Sequence, residues 1–315
     1  MSSTHMGMLY LTGAFSLAGT SVIAGSLLSG ILGVFTISAI SLLFALVGLL
    51  PFCAANLRAA LPLLSWPNWM ELFFQALFGI FLFRLFLLQA LFLTSAGEAG
   101  ILTGVTPAVT AMLARLFLKE SLDRGKIAGI VSTVSGIAVL QGVFSTGTQF
   151  NQQHLTGNML VLCAALSESL FNVLSRSASV KATERALNPI AQSTLVSAIA
   201  LLLCLIPALN EQAGMRLSEL TLNSWAALLW YGLFVTALAF IFWYEGIKRC
   251  KASVAAAFSG LMPVTSLLLA VIFLGEQASS EQWAGGILVL AGMVLAGWSK
   301  ERNCTSNDNI HKQFI

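Results

Sequence analysis

The sequence LARLFLKES at residues 113–121 returns 156 positions later as LAVIFLGEQ at residues 269–277. Extending the same offset in both directions gives 13 identities over the 51 positions 86–136, without a gap. Glycine and proline are among the matched residues: Gly104 with Gly260, and Pro107 with Pro263. An apolar composition alone does not align Gly and Pro in this way, so we predict an internal repeat.

The composition indicates a membrane protein. The chain is 57% hydrophobic and 9% charged, whereas soluble domains carry roughly 25% charged residues. No residue in the 52-residue stretch 6–57 carries a formal charge, and a bilayer core takes about 20 apolar residues per helix. This stretch therefore predicts two membrane helices. The first has full span length and no basic leader, which argues against a cleaved signal peptide.

Charges, prolines and polar clusters divide the chain into ten apolar segments, which predict an all-α integral membrane protein. The predicted spans are 7–28, 31–52, 69–92, 95–117, 125–144, 156–176, 188–208, 222–246, 252–274 and 281–299. Lys and Arg beside the spans set the orientation, because such residues stay cytoplasmic. With the N-terminus inside, 14 of the 16 basic residues fall on the cytoplasmic side. We therefore expect a multi-pass protein of the cell membrane with both termini in the cytoplasm.

The repeat unit contains five spans, so the second copy enters the membrane in the opposite orientation. Lys119 in the first copy is matched by Gly275 in the second, and this difference follows the predicted sidedness. Inverted repeats of this kind are typical of secondary transporters with a central binding site. We assign the first repeat to 7–144, an outer linker to 145–155, the second repeat to 156–299 and a cytoplasmic tail to 300–315.

Residues 90–140, which include GILTGVTPAVTAMLARLFLKE (100–120), and residues 246–297 resemble the EamA repeat of the drug/metabolite transporter superfamily. Each segment has a helix rich in small residues, a proline within a helix, an L-x-E sequence at the helix end and a Gly-rich last helix. The resemblance implies ten transmembrane helices in two inverted five-helix repeats around a central cavity. It also implies export of metabolites, amino acids or drugs, as in many bacterial members.

Charged side chains inside spans are costly to bury and are therefore candidate functional residues. Arg84 lies within the third span, about 12 Å from its outer end at the rise of an α-helix. Glu98 begins the fourth span, and because neighbouring helices are antiparallel we expect the two side chains to come within reach of each other. Arg84 then binds a substrate carboxylate or forms a structural ion pair with Glu98, and both roles are compatible if substrate competes for the pair. Glu98 is also a candidate for substrate binding and proton coupling.

Glu168 lies near the membrane midplane in the sixth span, and Asn172 follows one turn later on the same helix face. An ionised carboxylate at this depth is costly, which suits a proton-coupling group or a ligand for a substrate amine. The alternative is a Glu168 that is hydrogen-bonded to a neighbouring helix. We predict that Arg84, Glu98, Glu168 and Asn172 bind substrate, and that Glu168 and Glu98 are candidates for proton coupling.

Gly104-x-x-Pro107 and Gly260-x-x-Pro263 place proline at matched positions in spans four and nine. Proline removes a backbone hydrogen bond and kinks a helix. These segments therefore predict helix breaks that line the cavity or hinge a gate, with simple packing as the alternative.

Other polar residues have structural interpretations. Glu120 and Glu276 occupy matched helix ends, and we predict that they act as caps or turn contacts rather than substrate ligands. Gln75 and Gln89 in the third span are predicted to form hydrogen bonds between helices.

The inner end of the eighth span carries Trp243, Tyr244 and Glu245. Trp and Tyr at such positions commonly anchor a helix at the membrane interface, and we expect that role for both residues. Glu245 precedes Lys248 and Arg249 by three and four residues, so it is predicted to form a surface ion pair.

The combined features predict a secondary-active exporter of small metabolites, such as amino acids, that works by alternating access. Cationic and acidic groups in the spans suit a zwitterion, whereas abundant aromatic residues also fit a multidrug or toxic-compound exporter. A sensor or scaffold without transport is a further alternative. An enzyme is not expected, because the three His residues lie outside the spans and no catalytic cluster is present.

The expected partners are a small-molecule substrate, the lipid bilayer and protons as candidate coupling ions. The net charge of +3 is too small to favour nucleic acid. The five Cys have no zinc-site spacing, so we expect no metal site and no cofactor. A monomer suffices for this architecture, and a homodimer is the alternative.

Overall fold

The computed structural model describes residues 3–118, 124–140, 152–181, 187–211, 220–249, 258–277 and 279–297. Within these ranges the chain is helical and contains no strand. The α-helices are α1 (Ser3–Leu28), α2 (Val34–Ala60), α3 (Trp66–Ala76), α4 (Phe83–Ala90), α5 (Ala96–Thr103), α6 (Thr106–Leu118), α7 (Arg124–Leu140), α8 (Gln152–Lys181), α9 (Pro189–Asn210), α10 (Leu222–Trp230), α11 (Ala239–Arg249), α12 (Leu261–Leu274) and α13 (Ser280–Gly297). Two π-helical segments, π1 (Leu77–Leu82) and π2 (Tyr231–Leu238), join α3 to α4 and α10 to α11.

Seven helical stretches in these ranges are long and apolar enough to cross a membrane: His5–Leu28, Val34–Ala54, Trp66–Ala90, Ala96–Phe117, Gln153–Ala178, Pro189–Asn210 and Leu222–Arg249. Large apolar side chains such as Val47, Leu202 and Ile206 are exposed on these helices, as expected of surfaces that face lipid. The chain is therefore a multi-pass membrane protein. The other three predicted spans coincide with α7, α12 and α13, and the count of ten stays a prediction.

Helix breaks are present at both predicted Gly-x-x-Pro segments. The helix of the fourth span is interrupted at Gly104, between α5 and α6, and α12 begins directly after Gly260. Pro107 and Pro263 each lie in the first turn of the helix that follows, where the missing N–H leaves no helical hydrogen bond unmade. A Cβ added to Gly104 would lie 3.4 Å from Cγ of Pro263. The two breaks therefore lie side by side.

Matched glycines bring α7 and α13 into close contact. A Cβ added to Gly136 would lie 2.7 Å from the carbonyl oxygen of Gly285, and one added to Gly292 would lie 2.6 Å from the carbonyl oxygen of Gly129. At the sequence offset of 156, Gly136 corresponds to Gly292 and Gly129 corresponds to Gly285, so the two contacts are equivalent. Each helix thus presents the same glycine surface to the other.

Helices from the two halves of the sequence form one core. α1 packs on α11 and α12, and α8 makes the corresponding contacts with α4 and α6; α2 packs on α9, and α5 on α12. An apolar cluster joins Leu28, Leu87, Val161 and Leu267, which come from four different helices. Because both halves contribute to this cluster, neither half buries its apolar face alone.

Candidate functional site

A cavity of about 80 Å³ lies among α1, α8, the two π segments and the helices that follow them. Its lining residues are Ala14, Phe15, Ala18, Ser21, Gly79, Ile80, Phe83, Arg84, Glu168, Phe171, Asn172, Tyr231, Val235, Ala239, Phe240, Trp243 and Met262. The cavity therefore brings together three of the four predicted substrate-binding residues. Glu98 lies outside this lining.

Arg84 is buried beside the cavity and is held by neutral groups. It lies in the first turn of α4, directly after π1, and its side chain is 4% exposed. Nη1 donates to Oγ of Ser41 at 2.7 Å and to the carbonyl oxygen of Ser38 at 3.5 Å. Nη2 donates to Oγ1 of Thr236. The described residues place no carboxylate in an ion pair with this guanidinium.

The π2 segment supplies two of the contacts that position Arg84. The guanidinium carbon lies 4.4 Å from the centre of the Tyr231 ring, which is cation–π distance. Thr236 accepts from Arg84 and donates its own hydroxyl hydrogen to the carbonyl oxygen of Tyr231 at 2.8 Å. An i→i+5 turn shifts the faces of the residues that follow it, so π2 sets the face on which Thr236 meets Arg84.

Glu168 connects the cavity to the helix break in the fourth span. Its Oε2 accepts from Oγ1 of Thr106 at 3.0 Å, and Thr106 is the first residue of α6. Oγ of the neighbouring Ser169 donates to the carbonyl oxygen of Thr106 at 3.0 Å. The interhelical hydrogen bond predicted as the alternative for Glu168 is therefore present, and the same side chain also lines the cavity.

Aromatic rings form part of the cavity wall. Phe15 packs edge-on against Trp243 at a centroid distance of 5.6 Å, and Phe171 contacts Phe240 at 5.5 Å. Trp243 is thus a cavity residue, and Tyr244 is 1% exposed, so the prediction that both anchor the helix at the interface is wrong. The packing of α11 against α1 and π2 turns these two rings inward.

Tyr244 instead belongs to a buried polar cluster with Gln75 and Gln192. Oε1 of Gln75 accepts from Oη of Tyr244 and from Nε2 of Gln192, both at 3.0 Å. The predicted role of Gln75 in hydrogen bonding between helices is confirmed, whereas Gln89 is exposed.

The predicted ion pair of Glu245 is also confirmed, with Arg249 as its partner. Lys248 donates to the carbonyl oxygen of Leu187 at 3.2 Å instead.

Glu98 is directed away from Arg84, so the expected proximity of these two side chains is wrong. Oε1 of Glu98 accepts from Nδ2 of Asn158 at 2.5 Å, and Oε2 accepts from Oγ1 of Thr94 at 3.0 Å. Nδ1 of His154 lies 3.4 Å from Oε2. These partners turn the carboxylate toward the start of α8, while the neutral partners of Arg84 lie on α2 and π2.

Glu276 caps a helix, as predicted, but the helix is α5 rather than its own. Its Oε1 accepts from the backbone N–H of Ala96 at 2.9 Å, and its Oε2 accepts from that of Gly97 at 2.8 Å. The predicted counterpart, Glu120, lies outside the described residues.

The contribution of the π segments was not predicted from the sequence. Tyr231 and Thr236 lie in an apolar stretch whose composition predicts an ordinary α-helix. The offset of 156 maps all six residues of π1 onto the last six residues of π2, 233–238, so an irregularity in one repeat implies one in the other.

Comparison with known proteins agrees with this architecture. The EamA-like transporter family matches residues 5–141 and again residues 155–298. A solved structure with 23% sequence identity aligns with a TM-score of 0.61 over 94% of this chain and 96% of its own, which supports the fold.

Several relatives are named as transporters. The uncharacterized transporter YetK of Bacillus subtilis (strain 168) is 32% identical over 295 residues, 93% of this chain and 87% of that protein. A probable amino-acid metabolite efflux pump of Salmonella typhimurium is 26% identical over 208 residues, 64% of this chain and 67% of that protein. A probable terminal-alkyne amino-acid exporter of Streptantibioticus cattleyicolor is 26% identical over 200 residues, 64% of this chain and 63% of that protein. With both halves of the chain matched by one family, this protein belongs to the EamA-like transporters of the drug/metabolite transporter superfamily.

Proposed function

We propose that this transporter is a secondary-active exporter of small zwitterionic metabolites, such as amino acids, and that it works by alternating access. The observation that carries the proposal is Arg84: a buried cation beside the cavity that only neutral groups contact among the described residues. A buried charge needs an opposite charge or strong hydrogen bonds. A substrate carboxylate supplies both, since a guanidinium binds it through two parallel N–H groups.

We assign Glu168 and Asn172 to binding the positively charged ammonium group of the substrate. Both line the same cavity as Arg84. The carboxylate of Glu168 can bind a substrate ammonium group, and in the absence of substrate it can take up a proton. Glu98 lies outside the cavity lining and already has three polar neighbours, so we assign substrate binding and proton coupling to Glu168 rather than to Glu98.

The size of the cavity favours a small metabolite over a drug. Pockets for drug-sized ligands usually measure about 300–1,000 Å³, and this cavity measures about 80 Å³. The aromatic wall still offers an apolar side chain a surface to pack against. Two of the relatives carry amino-acid export or efflux in their names, which agrees with this substrate class.

The two halves are proposed to be inverted repeats that rock around the cavity. The reciprocal glycine contacts of α7 and α13, and the corresponding contacts of α1 and α8, support a two-fold relation between residues 7–144 and 156–299. The adjacent breaks at Gly104–Pro107 and Gly260–Pro263 are then candidate hinges. The excess of basic residues in the predicted cytoplasmic loops supports cytoplasmic termini.

The test is efflux of a panel of radiolabelled amino acids from cells that express the wild type, Arg84→Ala or Glu168→Gln. Arg249→Ala and Glu245→Gln serve as matched controls, because that pair is partly exposed and surface pairs contribute about 0–1 kcal/mol. We expect export of at least one amino acid, a strong loss in both cavity variants and little change in both controls. Equal transport by all five proteins would refute the site.

Proton coupling has a separate test. Uptake into inverted vesicles is measured before and after the pH gradient is collapsed with an ionophore. A proton-coupled exporter loses concentrative uptake in the wild type, whereas unchanged accumulation would exclude protons as the driving ion.

A further inference from the structure

Two glutamates of the C-terminal half bind the first turns of two helices of the N-terminal half. Glu211, which follows α9, accepts from the backbone N–H of Phe35 at 3.1 Å and of Thr36 at 2.8 Å, and from Oγ1 of Thr36 at 2.9 Å. Glu276, which follows α12, accepts from the N–H groups of Ala96 and Gly97 at 2.9 and 2.8 Å. In both contacts the two oxygens of one carboxylate accept from successive backbone N–H groups at the start of a helix, although the helices differ.

These carboxylates satisfy helix ends that would otherwise depend on other acceptors. The first N–H groups of a helix have no partner within the helix, and the N-cap residue of α2, Gly33, supplies no side-chain hydrogen bond. A carboxylate at this end accepts charge-assisted hydrogen bonds and also interacts favourably with the helix dipole. Each glutamate therefore attaches one half of the protein to the other.

A glycine makes room for each carboxylate. A Cβ added to Gly33 would collide with the carboxylate of Glu211, and one added to Gly97 would lie 2.8 Å from Oε2 of Glu276. Neither glycine is needed for its backbone conformation: Gly33 has φ −69° and ψ 156°, which any residue adopts, and Gly97 lies within α5. The space that these glycines leave is thus specific to the carboxylates.

In the predicted topology both attachments lie on one face of the protein, because α2 and α5 begin the second and fourth spans and successive spans alternate in direction. The apolar cluster next to them contains Leu32 and Val34 beside the Glu211 contact, and Ala96 beside the Glu276 contact. Glu98 adds a third connection on this face, since it bonds to Asn158 of α8. Under the proposed orientation this is the outer face, and all three connections cross between the halves.

We propose that Glu211 and Glu276 are gate residues that hold the two halves together on this face, and that both must leave the helix ends before the cavity opens there. The proposal rests on the alternating-access mechanism above, because that mechanism requires the halves to separate on one face at a time. It does not depend on which substrate is carried. Glu211 and Glu276 act through helix position and do not touch the cavity.

The experiment measures access to the cavity from the outer face. A single cysteine replaces Ala18, which lines the cavity on α1, in a protein whose five native cysteines are changed to alanine. Right-side-out vesicles are treated with a charged, membrane-impermeant thiosulfonate, and the rate of modification is followed. No substrate is added, so the result is independent of the proposed substrate class.

The double variant Glu211→Gln with Glu276→Gln should raise the modification rate about tenfold or more, because one hydrogen bond to a charged group already shifts an equilibrium by about that factor. Gly33→Ala with Gly97→Ala should act in the same direction although both carboxylates remain. Glu245→Gln is the control and should leave the rate unchanged. Rates that match the control in both double variants would overturn the proposal.

Folding of each protein is checked by its elution profile in detergent. If the glutamine pair does not fold, the alanine pair decides the question, because alanine suits both backbone conformations. In that pair, a modification rate equal to the control refutes the gate, and a faster rate supports it.

Discussion

The contact between α7 and α13 gives a quantitative prediction for the internal repeat. In Gly136→Ala the new Cβ would lie 2.7 Å from the carbonyl oxygen of Gly285 and 2.8 Å from the backbone nitrogen of Val289. Both neighbours are backbone atoms of a helix and cannot rotate away. The helices must therefore separate by roughly half an ångström, a gap that removes about a quarter of the attraction between the atoms that line it.

Overpacking of this kind costs about 1–3 kcal/mol, and rigid backbone neighbours favour the upper part of that range. The substitution of Gly by Ala within a helix returns about 1 kcal/mol. We expect a net loss of about 1–2 kcal/mol for Gly136→Ala. The equivalent Gly292→Ala should lose the same amount, since its Cβ would lie 2.6 Å from the carbonyl oxygen of Gly129.

Gly286→Ala in α13 is the matched control. Its Cβ would meet the Ile101 side chain at 3.6 Å, which is ordinary contact, so the helix propensity of Ala should keep or raise stability by about 0.5–1 kcal/mol. The assay is the thermal unfolding midpoint of the purified proteins in detergent. We expect Gly136→Ala and Gly292→Ala to fall by about 2–5 °C. Equal midpoints for Gly136→Ala and Gly286→Ala, or a loss for one of the two equivalent glycines alone, would refute the reciprocal packing.

Three further substitutions test contacts near the cavity. Tyr244→Phe removes the hydroxyl bond to the buried α3 glutamine and should lower stability by about 1 kcal/mol in the same unfolding assay, with no change in substrate affinity. Thr236→Val leaves an N–H of Arg84 without its acceptor and should weaken substrate binding about tenfold, whereas Thr236→Ser should restore it; wild-type affinity in the valine variant would contradict this role. Thr106→Val removes the hydrogen bond to Glu168 and should slow transport without abolishing binding; an unchanged transport rate would separate the helix break from the cavity.

The internal repeat made much of the architecture predictable. A fixed offset in the sequence becomes a fixed relation between helices, so the breaks at Gly104 and Gly260 and the cap at Glu276 followed from matched residues. Apolar length set the spans because each must cross the same bilayer thickness. These properties depend on the spacing of residues along the chain, and a single sequence is enough to show that spacing.

The contacts of Arg84 could not be predicted in the same way. Which neighbour the side chain meets depends on the rotation of each helix about its axis, and the π segments change that rotation by one residue. No local composition marks this change in an apolar run. The sequence therefore predicted Glu98 on the next helix as the neighbour of Arg84, whereas the structure supplies Ser41, Thr236 and Tyr231.

The exchange of Lys119 for Gly275 has a structural reason besides the predicted membrane sidedness. Gly275 ends α12 with φ 65° and ψ 22°, a left-handed conformation that favours glycine. The resulting turn brings Glu276 back toward α12, where its N–H donates to the carbonyl oxygen of Ala270 at 3.3 Å. From there its carboxylate reaches α5. Gly275 therefore positions Glu276 as a helix cap, the role predicted from its match with Glu120.

The central claim is that Arg84 binds a carboxylate, and binding of paired ligands tests it most directly. Purified wild type and Arg84→Gln are titrated with the best amino acid from the efflux panel and with its methyl ester, which keeps the ammonium group and lacks the negative charge. We expect the wild type to bind the acid at least about 30-fold more tightly than the ester, because a buried charge pair is worth about 2 kcal/mol or more. Arg84→Gln should bind both ligands with equal, weak affinity. If Arg84→Gln still binds the acid more tightly than the ester by the same ratio as the wild type, another group binds the carboxylate and the claim is wrong.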